Sequence, residues 1–282
     1  MKVVFIADFL RGDNSGGAEL NDSTLVEFLI TNNYLFKAVR SHEVTSDFIK
    51  DNKEKVFIVS NFANLSTHVK ALLYQKCKYI IYEHDYKFMR CRNPVFFPEF
   101  KSPFDEFTNL NFFRGAHRLV CLSKLHKDIF ELNTDIENIE NIRCSLYSEE
   151  QLELLGTLNK KEKTKEYAVI KSSDPRKRTQ DAIQFCVQNK LDYEVISAKD
   201  NNEFLTLLNE FKNLVFMAGH PEPTPRTIME AKMLNINVIS QKRLIGISYE
   251  DWFSLNGDAL IKEVRDMRES AFNMFKRLIE SD

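Results

Sequence analysis

Short apolar runs return along this chain at the spacing of strands joined by helices, and they do so in two series. Val3 to Ala7 opens the first, followed by a glycine-bearing turn from Arg11 to Gly17 and a helical stretch over about 18–32. Val56 to Ser60, Lys78 to Tyr82 and Arg118 to Leu122 read as further buried strands. Helical segments are expected over about 66–75, over 107–115, and from Lys124 with Ser123 as its cap. Residues 159–166 are polar with no apolar face and mark the expected boundary. Beyond them Tyr167 to Ile170, Tyr193 to Ser197, Leu214 to Ala218 and Asn237 to Ser240 form a second strand series, with a helix over 179–188. Strands alternating with helices at this length build parallel α/β sheets. The 282 residues suffice for two such halves. We expect domains at 1–160 and 161–260, and an amphipathic C-terminal helix over 261–282 that packs back toward the first.

A formal net charge of −2 argues against non-specific nucleic-acid binding, although a local basic cleft is compatible with it. Five cysteines (Cys77, Cys91, Cys121, Cys144 and Cys186) show no C-x-x-C spacing, which fits reduced thiols and a cytoplasmic protein. The first apolar run is too short to span a membrane. Several of the 23 phenylalanines, if exposed, can support interdomain or peripheral membrane contact.

Gly16-Gly17 stands between the first strand and its helix, where glycine permits close backbone approach and helical N–H groups suit phosphate. Neither G-x-G-x-x-G nor G-x-x-x-x-G-K-[ST] is present, so the turn is equally readable as a tight βα connection. Glu83-His84-Asp85 follows the third strand, the end at which ligands collect in open sheets. Acid/base work, hydroxyl recognition and a structural strand cap all fit these three residues. Asp174-Pro175-Arg176-Lys177-Arg178 puts three cations in a βα turn, where they can neutralise a diphosphate or form a solvated surface run.

The most pointed segment is His220-Pro221-Glu222-Pro223-Thr224-Pro225-Arg226-Thr227-Ile228-Met229-Glu230-Ala231. It sets one carboxylate, Glu222, in a proline-punctuated turn and a second, Glu230, eight positions later in a helix. Gly219 permits the sharp turn, and the helix is expected to begin near Pro225 with Thr224 as its cap. Glu230 can accept hydrogen bonds from a ribose diol, or simply face solvent. The histidines are scattered, and Asp8 and Asp13 have no metal-ligand spacing. Ser15, Ser60 and Ser123 lie outside any G-x-S-x-G elbow.

Taken together, these residues resemble the retaining GT-B glycosyltransferases with an E-x7-E signature, the family 4-like group. Glu222 to Glu230 carries the resemblance most specifically, supported by Gly16-Gly17-Ala18-Glu19, Val120 to Lys124 and Asp174 to Arg178. It implies an α/β GT-B fold, two Rossmann-like domains facing across a cleft, and a nucleotide-diphosphate sugar held mainly by the second. It also implies Glu230 on the nucleotide ribose, Glu222 near the sugar, and Lys177 with Arg176 or Arg178 at the diphosphate. The same resemblance implies Thr224, Pro225 and Arg226 beside the nucleotide, Gly16 and Gly17 near phosphate or acceptor, and His84 and Asp85 at the reacting sugar. No tightly bound cofactor and no essential divalent metal are expected. The acceptor is expected to be a saccharide, a lipid-linked glycan, or a hydroxymethylated DNA base with Lys87, Arg90, Arg92 and Arg114 on its phosphates. A sugar-nucleotide-binding module without turnover is the alternative. Arg178 and Asn235 stand where this family commonly has glycine.

Overall fold

The computed structural model describes residues 1–10, 12 and 16–281. Arg11, Asp13 and Ser15 of the first turn therefore lie outside the described residues. The chain divides into two compact units, residues 1–146 with 267–282, and residues 147–266.

The first unit is a six-stranded sheet of β1 (Val3–Ala7), β2 (Leu35–Arg40), β3 (Val56–Val59), β4 (Lys78–Tyr82), β5 (Arg118–Cys121) and β6 (Ile139–Asn141). Its order is β2-β1-β3-β4-β5-β6, with every pairing parallel. Connecting helices are α1 (Gly17–Thr31), α2 (Ser46–Asp51), α3 (Thr67–Lys76), α4 (Leu110–Arg114) and α5 (Lys124–Asn133). The continuous apolar runs of β1 and β3 are buried along their whole length, as strands covered on both faces require. Ser123 caps α5 by accepting from the His126 N–H. The expected helix over 107–115 shortens to α4, because residues 104–106 form a 3-10 turn and the Thr108 N–H donates to the Phe88 carbonyl.

The second unit holds α6 (Glu149–Leu158), β7 (Lys165–Ile170), α7 (Thr179–Gln188), β8 (Tyr193–Ile196), α8 (Asn201–Leu208), β9 (Phe211–Phe216), α9 (Arg226–Met233) and β10 (Asn237–Ser240). Its parallel sheet runs β10-β9-β7-β8. The polar stretch 159–166 falls inside this unit, between α6 and the first residues of β7. Val169, Ala182, Cys186 and Val215 form a core between β7, β9 and α7.

The last helix, α10 (Gly257–Glu280), begins in the second unit and ends in the first. Ala271, Met274, Phe275, Leu278 and Ile279 lie in the first unit's core with Val3, Phe5, Ile58 and Tyr82. Their spacing is that of one helical face, and their burial is why this segment belongs with a sheet so distant in sequence.

Both departures from the family's glycines fall on left-handed backbone, Arg178 at φ 48° and Asn235 at φ 58°. Asn235 closes α9 as a Schellman motif: its N–H donates to the Lys232 carbonyl and the Ile236 N–H to the Ala231 carbonyl. Asparagine tolerates this region, whereas an arginine there carries a strain that glycine lacks. Arg178→Gly is therefore expected to be more stable than Arg178→Ala by about 1 kcal/mol in urea denaturation. Both variants lose the same side-chain contacts, so equal midpoints would show that the backbone at 178 relaxes.

Candidate functional site

In the second sheet the chain runs from β7 out to β8, then returns to lay β9 on the other side of β7. That reversal opens a crevice at the carboxyl ends of β7 and β9, the position where open α/β sheets bind ligands. A pocket of about 120 Å³ occupies it, lined by Lys171 and Ser172 after β7, Met217 after β9, and Lys177, Thr179 and Thr227. Lys171, Ser172 and Thr179 were given no site role from sequence, and Thr227 entered only as part of the Glu222–Glu230 segment. Thr179 is recognisable as the first residue of α7, and its hydroxyl donates to the Ile170 carbonyl while accepting from the Ser172 N–H.

The basic turn does not present three cations together. Residues 175–177 form a 3-10 turn and Arg178 is left-handed, so successive side chains diverge. Arg176 folds back onto Asp174 and Arg178 pairs with Asp181, both at the surface. Lys177 alone of the three lines the pocket, with its ammonium 5.6 Å from the centre of the Phe216 ring.

Glu222 is held through its backbone. Its N–H donates to the Leu244 carbonyl at 2.8 Å and its carbonyl accepts from the Gly246 N–H at 2.7 Å, a one-residue parallel bridge opposite Ile245. Its buried carboxylate takes Lys177 Nζ at 2.7 and 2.8 Å, one contact per oxygen. Gly219 serves close approach rather than an unusual turn: a Cβ there would stand 3.0 Å from the Arg176 carbonyl oxygen, to which the Gly219 N–H donates. The neighbouring His220 is buried, and burial lowers its pKa although Glu222 opposes that.

Helix α9 starts at Arg226 with Pro225 in the cap position and no side-chain cap, so Thr224 does not act as expected there. The Ile228 N–H already donates to the Pro225 carbonyl at 3.0 Å, and the N–H groups before it have no acceptor within the helix by geometry. Glu230 does not face solvent; it is 2% exposed. Arg226 Nε lies 3.5 Å from Glu230 Oε1, and the Arg226 guanidinium stacks 3.8 Å from the centre of the Tyr147 ring. Burial raises the Glu230 carboxyl, with Arg226 opposing. Glu230 Oε1 nevertheless has no hydrogen-bond partner. Arg226, expected beside the nucleotide, is itself buried and steadies this carboxylate.

In the first unit Gly16 caps α1 with extended backbone, and Gly17 is its first helical residue. His84 and Asp85 leave the end of β4 in different environments. His84 Nε2 lies 2.9 Å from Asp22 Oδ1, with both side chains 5% exposed, while the Tyr82 ring meets the imidazole edge-on. Asp85 is tied to Lys87 at 2.9 Å and to Arg92. Burial raises its pKa, but Lys87, a hydrogen bond with Glu83 and Arg92 together more than offset this and hold it well below the usual range. Glu83 accepts from the same Lys87 at 2.9 Å, and burial pushes its carboxyl up. Lys87 is 3% exposed and cannot meet a nucleic-acid backbone as expected. Arg92 and Arg114 are engaged by Asp85 and Asp135, and Arg90 is exposed. Among the described residues, no helix is long and apolar enough to cross a membrane.

No protein-family model and no curated protein matches the chain. Solved structures do. Sucrose-phosphate synthase from Thermosynechococcus elongatus aligns at a TM-score of 0.60 and 10% identity, over 99% of this chain and 98% of its own. The apo lipopolysaccharide outer core galactosyltransferase WaaB aligns at 0.56 and 10% identity, over 99% of each chain. Anabaena HepE, in complex with UDP and glucose, aligns at 0.53 and 12% identity, over 99% of this chain and 92% of its own. Near-complete coverage in both directions, with two parallel sheets of six and four strands, shows that the chain has the GT-B fold.

Proposed function

We propose that the protein is a retaining glycosyltransferase that moves a sugar from a uridine-diphosphate donor to an acceptor hydroxyl. The observation that carries this reading is the second unit's pocket. Lys177 and Thr227 of α9 line it; Lys177 also pairs with the buried Glu222, and the buried Glu230, three residues past Thr227 on the same helix, has one oxygen with no hydrogen-bond partner. A buried acceptor atom without a donor is costly unless a ligand supplies one. A ribose diol has the two adjacent O–H groups that Glu230 would take. Lys177 and the first N–H groups of α9 supply positive charge for the diphosphate, and this reading needs no resident divalent ion. The uridine assignment follows the HepE complex with UDP and glucose.

In the transfer, the bond from the sugar's anomeric carbon to the diphosphate oxygen breaks as the bond to the acceptor oxygen forms on the same face. The acceptor proton passes to the departing phosphate. Stabilising the leaving diphosphate is then the protein's main task, and no side chain acts as nucleophile. In the first unit His84 is assigned to hydroxyl recognition and Asp85, held by two cations, to shaping the loop after β4. We place a saccharide acceptor first, because Lys87 is buried and Arg92 and Arg114 already have carboxylate partners.

Calorimetric titration with UDP, GDP and ADP tests the donor, with UDP expected to bind most tightly. Transfer from UDP-glucose is then assayed against saccharides, lipid-linked glycans and hydroxymethylated DNA. A chain that binds none of the three nucleotides would refute the proposal. One that binds UDP but neither transfers nor hydrolyses UDP-sugar would be a binding module.

A further inference from the structure

Three βα units of the first sheet converge on one buried imidazole. Asp22 comes from α1, Ser60 directly follows β3, and His84 follows β4. All three lie toward the carboxyl ends of neighbouring parallel strands, beside the point between β1 and β3 where the strand order reverses. Ser60 Oγ stands 2.7 and 2.8 Å from the two Asp22 oxygens, and His84 Nε2 stands 2.9 Å from Oδ1. An ionised carboxylate has no proton to give, so the imidazole must be the donor across the last contact. The proton of a neutral His84 then sits on Nε2, and Nδ1 keeps its lone pair. Nδ1 is buried and has no hydrogen-bond partner. The serine and histidine both donate to one aspartate, so this is not a relay that activates Ser60 as a nucleophile.

We propose that Asp22 is a positioning residue that fixes the Nε2–H form of His84, leaving Nδ1 to accept a hydrogen bond from a sugar hydroxyl. The inference rests on the glycosyl-transfer reading for its ligand, but its tautomer element is a property of the free protein. The site as built rewards an O–H group and offers nothing to an ether or carbonyl oxygen at the same position. When neutral, an imidazole locked in this way acts as a specificity filter. Asp22 and Ser60 were not singled out for this role from sequence, because they lie 62 and 24 positions from His84 and share no local motif with it.

The test uses the full chain labelled with ¹⁵N at histidine. The His84 ring nitrogens are expected to show the Nε2–H pattern near neutral pH. In Asp22→Asn, the Ser60 hydroxyl retains the single amide oxygen and the amide NH₂ turns toward Nε2, so the pattern is expected to move toward Nδ1–H. Turnover should fall about tenfold while UDP affinity stays within about twofold. Ser60→Ala leaves Asp22 in place and should keep the Nε2–H pattern. UDP-sugars deoxygenated at one position at a time, measured by acceptor-free hydrolysis, assign the hydroxyl to the donor when one analogue loses rate in the unaltered protein but not in Asp22→Asn. The same comparison made with deoxygenated acceptors assigns it to the acceptor. An Nδ1–H pattern in the unaltered protein overturns the proposal. So does an Nε2–H pattern with full turnover in Asp22→Asn, or an equal tautomer shift in Ser60→Ala. Absence of UDP binding by the unaltered chain would instead refute the donor-site reading, while the tautomer assignment is judged on the nitrogen spectrum.

Discussion

Replacing Glu230 by glutamine is expected to weaken UDP binding about 30-fold, the equivalent of ~2 kcal/mol, with α9 still folded. A carboxylate facing a ribose diol accepts two hydrogen bonds as a charged partner, and an amide accepts only as a neutral one. Glutamine preserves the volume of a side chain that is 2% exposed, and its oxygen can still face Arg226. Alanine would be a poorer probe. It would remove the carboxylate beside a buried guanidinium, and breaking such a pair costs about 3–5 kcal/mol of stability whatever the ligand does. The control is 2′-deoxy-UDP. It should lose affinity for the unaltered protein and lose less for Glu230→Gln, because the variant has already given up the charge-assisted part of that contact. Equal calorimetric affinities of the two proteins for UDP would remove Glu230 from the nucleotide site.

Much of the second unit was legible because its signals are local. The strand ends, the turn residues Asp174 and Pro175, and the spacing of Glu222 to Glu230 fall within short stretches whose chemistry constrains them. Burial was harder to read. An Arg–Glu pair at i, i+4, here Arg226 and Glu230, is usually a solvated face. Here it is buried, with Tyr147, 79 positions from Arg226, supplying a ring beneath the guanidinium. The polar stretch before β7 concealed the start of that strand, since Lys165 and Glu166 find partners across the sheet in Glu194, Glu210 and Lys212. Edge strand β2 escaped notice for a similar reason: Lys37 and Arg40 break its apolar run, and only Val39 of its six residues is buried. Helix α6 did carry a local sign, the capping box of Ser148 and Gln151. The three cations of the basic turn show the converse limit, because adjacency in sequence implied a shared target that a left-handed residue prevents.

That divergence leaves Lys177 as the cation on which the largest kinetic effect should depend. Lys177→Ala is expected to lower the turnover of UDP-sugar by about 10²- to 10³-fold, the loss typical when one preorganised charge on a developing anion is removed. Most of the loss should appear in kcat. In the free protein Lys177 is already satisfied by Glu222 at 2.7 and 2.8 Å, so a ground-state diphosphate exchanges one attraction for another. As the sugar–oxygen bond breaks, negative charge on the diphosphate grows while that on Glu222 does not, and the balance shifts toward the phosphate only in the transition state. Removing Lys177 also leaves the buried Glu222 carboxylate without its cation, which should repel the incoming diphosphate and add a smaller rise in KM. Lys177→Ala combined with Glu222→Gln separates the two effects: the added rise in KM should disappear and the loss of kcat should remain. Lys177→Arg keeps the charge but exchanges a compact ammonium for a planar fork, and should recover only part of the rate. Steady-state kinetics at saturating acceptor decides the matter. A kcat for Lys177→Ala within about threefold of the unaltered protein would show that the leaving diphosphate is stabilised elsewhere.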